Sequence, residues 1–142
     1  MSLFADQGRA QLRAHYRSAW QRWRAGEVLS QLDAQIAAII AEHPEYQAVV
    51  LADDNLGRDF PTAAGDANPF LHLGLHLAIR EQIATNRPAG IAPIHRRLTL
   101  SLGSPHAAEH RMIELLAETM WEAQRSGRAP DEQVYLQRLQ RL

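Results

Sequence analysis

The sequence predicts an all-α protein with a four-helix-bundle-like core and one or two short additional helices. Apolar residues recur at three- and four-residue spacing in several segments, which is the period of one helix face. Ser, Asn and Pro stand where these segments begin and Gly where they end, as in typical helix caps. No segment shows a convincing strand pattern. With 142 residues, the chain is expected to form a single domain over residues 1–142.

The first helix is predicted from Gln7 to Ala25. Its apolar stripe comprises Leu12, Tyr16, Ala19, Trp20 and Trp23. A second face carries Arg9, Arg13, Arg17 and Arg24. This arginine row is either a patch for phosphate or an acidic partner, or a solvated face, and we favour the solvated face. The tryptophans suit either an intramolecular core or the interface of a homo-oligomer.

The second helix is predicted from Gln31 to about His43, with Ser30 as its N-cap. His43 falls on the apolar stripe of this helix, in its last turn. Pro44 then stops the helix and opens a short one over Glu45–Leu51.

Residues 52–68 form a predicted connection rich in Asp, Gly and Ala. It is long for a compact domain, so it either crosses the bundle, which we favour, or covers a pocket. The remaining helices are predicted over Pro69–Arg87, Pro93–Leu102 and Pro105–Ser126, with a last short helix opened by Pro130, Asp131 and Glu132.

Composition excludes several classes of function. The net charge of −1 provides no basic field and argues against a nucleic-acid partner. The chain has no Cys, and all fifteen of its basic residues are Arg, which excludes thiolate metal sites, Cys nucleophiles and Schiff-base lysines. No apolar run approaches the roughly 20 residues that span a bilayer, and Met1–Arg9 lacks the apolar core of a signal peptide. We therefore expect a soluble, cytoplasmic protein with no membrane partner.

Two histidine pairs point to chemistry: His72 with His76, and His106 with His110. Residues four apart in a helix lie on one face with Cβ atoms roughly 5–6 Å apart, within reach of one metal ion. Each pair also shares its face with apolar residues: Ile79 and Ile83 in one helix, Ile113 and Ala117 in the other. With His43, five histidines are thus predicted to face the core, where an imidazole without a partner costs a few kcal/mol.

The sequence therefore predicts a divalent-metal site, with His72, His76, His106 and His110 as ligands and His43 as a fifth ligand or outer-shell partner. Zn, Fe, Ni or Mn are the candidate ions. No organic cofactor is expected, because no glycine-rich phosphate loop or dinucleotide fingerprint occurs. The alternative is a non-enzymatic structural or interaction module, in which buried histidines form a metal-free hydrogen-bond network.

Glu109 falls within the apolar arc of its helix, beside Leu116 and Met120. It is a candidate ligand, outer-shell acceptor for an imidazole N–H, or general base, and the competing interpretation is pairing with an Arg at the end of the bundle. The segment His106-Ala-Ala-Glu109-His110 matches the H-x-x-E-H pattern of inverted zinc proteases. Those enzymes are much larger, so we disfavour a protease and assign no reaction.

Several motifs occur together between about Trp20 and Leu142. They are His43-Pro-Glu-Tyr46, Asn68-Pro-Phe-Leu-His72-x-x-x-His76-x-x-x-x-Glu81-Gln82, the Pro88 and Gly90-Ile91 that follow, His106-x-x-x-His110-x-Met112-x-Glu114, Trp121-x-Ala123-Gln124 and Pro130-Asp131. In this combination the chain resembles a family of short bacterial proteins described as domain of unknown function 1841. The resemblance implies a small soluble bacterial protein of this length, and it supplies neither an activity nor functional residues.

Overall fold

The structure, a computed structural model, describes residues 3–52 and 68–142, with the side chains of residues 3–7 excepted. Within those ranges the chain forms seven α-helices and no strand, which confirms the all-α prediction. The helices are α1 (Leu3–Arg24), α2 (Gln31–Ala41), α3 (Pro44–Leu51), α4 (Pro69–Thr85), α5 (Ile91–Leu102), α6 (Pro105–Ser126) and α7 (Glu132–Gln140). Most of the predicted connection over 52–68 lies outside the described residues.

The chain forms two compact units, Met1–Gly74 and Leu75–Leu142. The α4 helix begins in the first unit and ends in the second. The single domain over residues 1–142 and its four-helix-bundle-like core stay predictions. Among the described helices, none is long and apolar enough to cross a membrane.

In the first unit, α1 packs against α2 and α3. Ser30 caps α2, as predicted, because its side chain accepts a hydrogen bond from the Asp33 N–H. The α2 helix was predicted to extend to about His43, but it ends at Ala41. His43 precedes a proline, which disfavours helical backbone, and it adopts φ −126° and ψ 70° as the N-cap of α3.

The apolar stripe of α1 is only partly buried. Tyr16, Ala19 and Trp20 belong to the core, whereas Leu12 and Trp23 are 55% and 41% exposed. The homo-oligomer suggested by the tryptophans stays a prediction.

The predicted solvated face of α1 needs one correction. Arg13 is buried, and its guanidinium carbon lies 4.5 Å from the centre of the Phe70 ring. A guanidinium can stack on an aromatic face, so a charged residue lies on a buried side of this helix.

The second unit is built around one apolar cluster from α4, α5, α6 and α7. Its buried members are Leu75, Ile79, Ile91, Ile94, Leu98, Ala108, Met112, Ile113, Leu116, Tyr135 and Leu139. The α6 helix packs against both α5 and α7. This cluster holds part of α4 beside the first half of α6, where three of the five predicted histidine ligands lie.

The helix ends in this unit follow the capping residues. Ser104 caps α6 through the Ala107 N–H, and Asp131 caps α7 through the Gln133 and Val134 N–H groups. The α4 helix stops at Thr85, earlier than predicted, because Asn86 takes a positive φ of 50° and Arg87 precedes a proline.

The α5 helix begins at Ile91, two residues before the predicted start at Pro93. The Asn86 side chain accepts hydrogen bonds from the N–H groups of Gly90 and Ala92, and these bonds satisfy donors of the first turn. Pro93 therefore lies in that first turn, where its missing N–H costs little.

Candidate metal centre

His76 lies at the centre of the candidate site in the second unit. It is fully buried on α4, and its Nδ1 lies 3.1 Å from Glu109 Oε1 on α6. A carboxylate oxygen can only accept, so Nδ1–H of His76 is the donor. In the neutral ring, this hydrogen bond places the proton on Nδ1 and leaves the lone pair on Nε2, which is the form that binds a metal ion.

Glu109 is 4% exposed, so its predicted position in the buried arc of α6 is correct. Its Oε1 accepts a second hydrogen bond from Arg80 Nε, at 3.0 Å. Burial alone would raise the pKa of Glu109, but the hydrogen bonds from His76 and Arg80, together with the Arg80 charge, hold that pKa below its ordinary value. Glu109 is therefore an anion bound by two donors, one from a histidine and one from an arginine.

His106 and His110 lie beside His76 and are half-buried. His110 Nε2 is 3.1 Å from His76 Nε2. The ring centre of His106 lies 5.2 Å from the ring centre of His76 and 4.2 Å from that of His110. One nitrogen of each of these three rings lies within 4.8 Å of the others. The second unit therefore brings three of the five predicted histidine ligands together.

The buried arc of α6 differs from the predicted one. Its buried residues are Ala108, Glu109, Met112, Ile113, Leu116 and Thr119. Ala117 is exposed and Met120 is 37% exposed, although both were placed in or beside the core arc. Because α5 and α7 both pack on α6, the buried arc is centred on Glu109 and Met112 and does not extend to Ala117. His106 and His110 lie at its edge.

The other two predicted ligands, His43 and His72, lie in the first unit. His43 is buried, and its Nδ1–H donates to the Ile39 carbonyl at 2.8 Å, which leaves the lone pair on Nε2. Its ring stacks on Tyr46 at 5.5 Å and meets His72 edge-on at 5.1 Å. Their roles as metal ligands stay predictions.

Arg80 is the site residue that sequence reasoning missed. It lies one turn after His76 on α4, so helical spacing could have placed it on the same side. One carboxylate oxygen of Glu109 accepts from both Arg80 and His76, so Glu109 pairs with an arginine and also accepts an imidazole N–H. Its role as an outer-shell partner of a metal ion stays a prediction.

The fold and this cluster define an all-α protein with a histidine–carboxylate–arginine group built around the buried His76 and Glu109. The profile of the family described as domain of unknown function, DUF1841, matches residues 8–141, which is nearly the whole chain. The chain belongs to this family. No curated protein and no solved structure matches it.

Proposed function

We propose that the second unit binds one divalent transition-metal ion through His76, His106 and His110. The observation that carries this proposal is the Glu109–His76–His110 arrangement. Glu109 accepts a hydrogen bond from the Nδ1–H of His76, and the Nε2 of His76 lies 3.1 Å from the Nε2 of His110. A ligating histidine that donates its other N–H to a carboxylate is the recurring outer-shell arrangement of metal sites.

The spacing of the nitrogens supports the same proposal. Metal–nitrogen bonds of about 2.0–2.1 Å place two ligand nitrogens about 3.3–3.4 Å apart in a tetrahedral site and about 2.8–3.0 Å apart at a right angle. The separation of 3.1 Å between His76 Nε2 and His110 Nε2 falls between these values. One nitrogen of His106 also lies within 4.8 Å of a nitrogen of His76 and of His110, which places a third imidazole beside the same ion.

In this proposal Glu109 is an outer-shell partner and not a ligand. Its Oε1 is already engaged by His76 and Arg80. Arg80 balances the negative charge of the buried carboxylate, which would otherwise be costly. The candidate ions are Zn, Fe, Ni and Mn, and the identity of the ion would decide whether water activation or redox chemistry is available.

A specific observation also favours the metal-free alternative. A nitrogen–nitrogen distance of 3.1 Å is a normal hydrogen-bond length, so His110 Nε2–H can donate to the His76 lone pair without any ion. The chain Arg80–Glu109–His76–His110 would then be a buried polar network that holds α4 and α6 in register.

The deciding experiment is elemental analysis of untagged protein purified without chelator, followed by thermal melting with and without added Zn, Fe, Ni or Mn. We expect near-stoichiometric metal and a melting temperature that rises with the free ion concentration. The same measurements on His106→Gln and His110→Gln, both at half-buried positions, should show loss of the metal with the fold retained by circular dichroism.

His95→Gln is the matched control, because His95 is a partly buried histidine of the same unit that is not part of the group. The control variant should bind metal as the unaltered protein does. Absence of metal and of any melting shift in the unaltered protein would establish the metal-free network. Parallel variants at His43 and His72 test whether those residues add ligands.

A further inference from the structure

The second unit contains a cavity of about 550 Å³ that is separate from the histidine group. Its walls come from α4, α6, the start of α7 and the segments that precede α5 and α7. Cavities of this size hold small organic molecules. Much of the wall is apolar, with contributions from Leu116, Met120 and Pro130. None of the residues that carry the proposed metal site lines this cavity.

The polar atoms of the inner wall are mainly acceptors. Tyr135, which is 3% exposed, donates its hydroxyl hydrogen to Gln82 Oε1 at 2.8 Å. Thr119, which is 5% exposed, donates its hydroxyl hydrogen to the Leu115 carbonyl at 2.8 Å. Because both hydrogens are engaged, each hydroxyl oxygen offers lone pairs to a ligand, and the Gln82 amide nitrogen is the remaining donor.

The rim of the cavity is predominantly negative. It carries the carboxylates of Glu81, Asp131 and Glu132 against the single guanidinium of Arg87. The Asp131 side chain caps α7, so its charge is partly matched by the N-terminus of that helix. Within the described part of the chain, Glu81 and Glu132 form no ion pair, so their charges are available to a ligand.

We infer that this cavity binds a small organic amine, with its apolar body against Leu116 and Met120 and its ammonium group at Glu81 and Glu132. An ammonium group brings three donors, which suits a wall of hydroxyl oxygens and carboxylates. An organic anion would face the same carboxylates at a cost in free energy, and a neutral alcohol would gain only the apolar contact.

The test is a titration of isotopically labelled protein with phenethylamine, 2-phenylethanol and phenylacetate, followed by two-dimensional NMR. The three probes share a phenyl group and differ in the charge of the head group. We expect phenethylamine to shift the Met120 methyl and Gln82 amide signals and to bind more tightly than the alcohol, with the acid weakest. Equal binding of the three probes, or no binding of the amine at millimolar concentration, would overturn the inference.

The double variant Glu81→Gln/Glu132→Gln should weaken phenethylamine binding about tenfold, because it removes both carboxylates that would face the ammonium group. Glu45→Gln/Glu118→Gln is the matched control. It also removes one carboxylate from the first turn of a helix and one from the middle of a helix, at exposed positions outside the cavity. This control should leave the affinity for phenethylamine unchanged. Equal weakening in both double variants would show that the affinity depends on the net charge of the protein and not on Glu81 and Glu132.

Discussion

At the scale of single residues, Glu109 is the side chain on which the candidate site depends. One of its oxygens accepts from both His76 and Arg80, and almost none of the residue is exposed. A buried carboxylate is stable only where donors and opposite charge compensate for the lost hydration. Removing its charge should therefore affect both the stability of the unit and the orientation of His76.

We expect Glu109→Gln to weaken metal binding about 10–100-fold, because the His76 Nδ1–H loses a charged acceptor. The free energy of unfolding should also fall by about 1–3 kcal/mol, since Arg80 loses its buried counter-charge. Co²⁺ titration and urea denaturation measure the two effects. Glu118→Gln, at an exposed position of the same helix, is the control. Unchanged affinity with lowered stability would assign Glu109 to a purely structural role.

Tyr16 and Tyr135 should make the fold sensitive to alkaline pH. Burial raises the pKa of both hydroxyl groups above its ordinary value. In the unfolded chain a tyrosine ionises near pH 10, so above about that pH the unfolded state loses protons that the folded state retains. The free energy of unfolding should then decrease as the pH rises.

Urea denaturation between pH 8 and pH 11 checks this expectation, and Tyr135→Phe provides the comparison. The variant should be less stable at neutral pH by about 1 kcal/mol, through loss of the Gln82 hydrogen bond. Its stability should also fall less steeply above about pH 10. Identical slopes for the two proteins would contradict the role of Tyr135.

At the scale of the helices, the sequence predicted what local chemistry decides. Ser30 caps the helix that it was expected to begin, and α7 begins within the segment that Pro130, Asp131 and Glu132 were expected to open. Local signals were insufficient where two of them compete. At His43, apolar spacing would carry α2 up to the residue before Pro44, whereas the helix ends at Ala41, because the position before a proline disfavours helical backbone.

Contacts between distant segments could not be predicted from local pattern. The burial of Arg13 depends on Phe70, a residue far along the chain. The Arg80–Glu109 pair likewise depends on how α4 lies beside α6. No residue spacing within the sequence reports how two helices pack against each other. The side of α4 on which His76 and Arg80 lie was predictable from helical spacing, and the pairing of Arg80 with Glu109 on α6 was not.

Ser104→Ala should lower the free energy of unfolding by about 0.5–2 kcal/mol, because the first turn of α6 loses the acceptor of the Ala107 N–H. Ser101→Ala, at an exposed position within α5, is the control. It should be neutral or slightly stabilising, since alanine has the higher helix propensity. Equal effects of the two substitutions, measured by urea denaturation, would show that the cap contributes nothing to stability.

At the scale of the whole molecule, the two compact units share one continuous helix, α4. The sequence predicts a single cooperative domain, and a helix that belongs to both units favours coupled unfolding. Urea unfolding followed by NMR signal intensities should therefore give one midpoint for residues of both units. Two separated midpoints would instead define two domains that unfold independently.

The hydrogen bond between His76 and Glu109 has a spectroscopic consequence. Its proton lies between two side chains that are almost completely shielded from water, so its exchange with solvent should be slow. A proton with a long residence time on an imidazole nitrogen gives a separate signal far downfield in the proton NMR spectrum. Its coupling to Nδ1 would report directly which nitrogen of His76 carries the hydrogen, in the intact protein and at each stage of a metal titration.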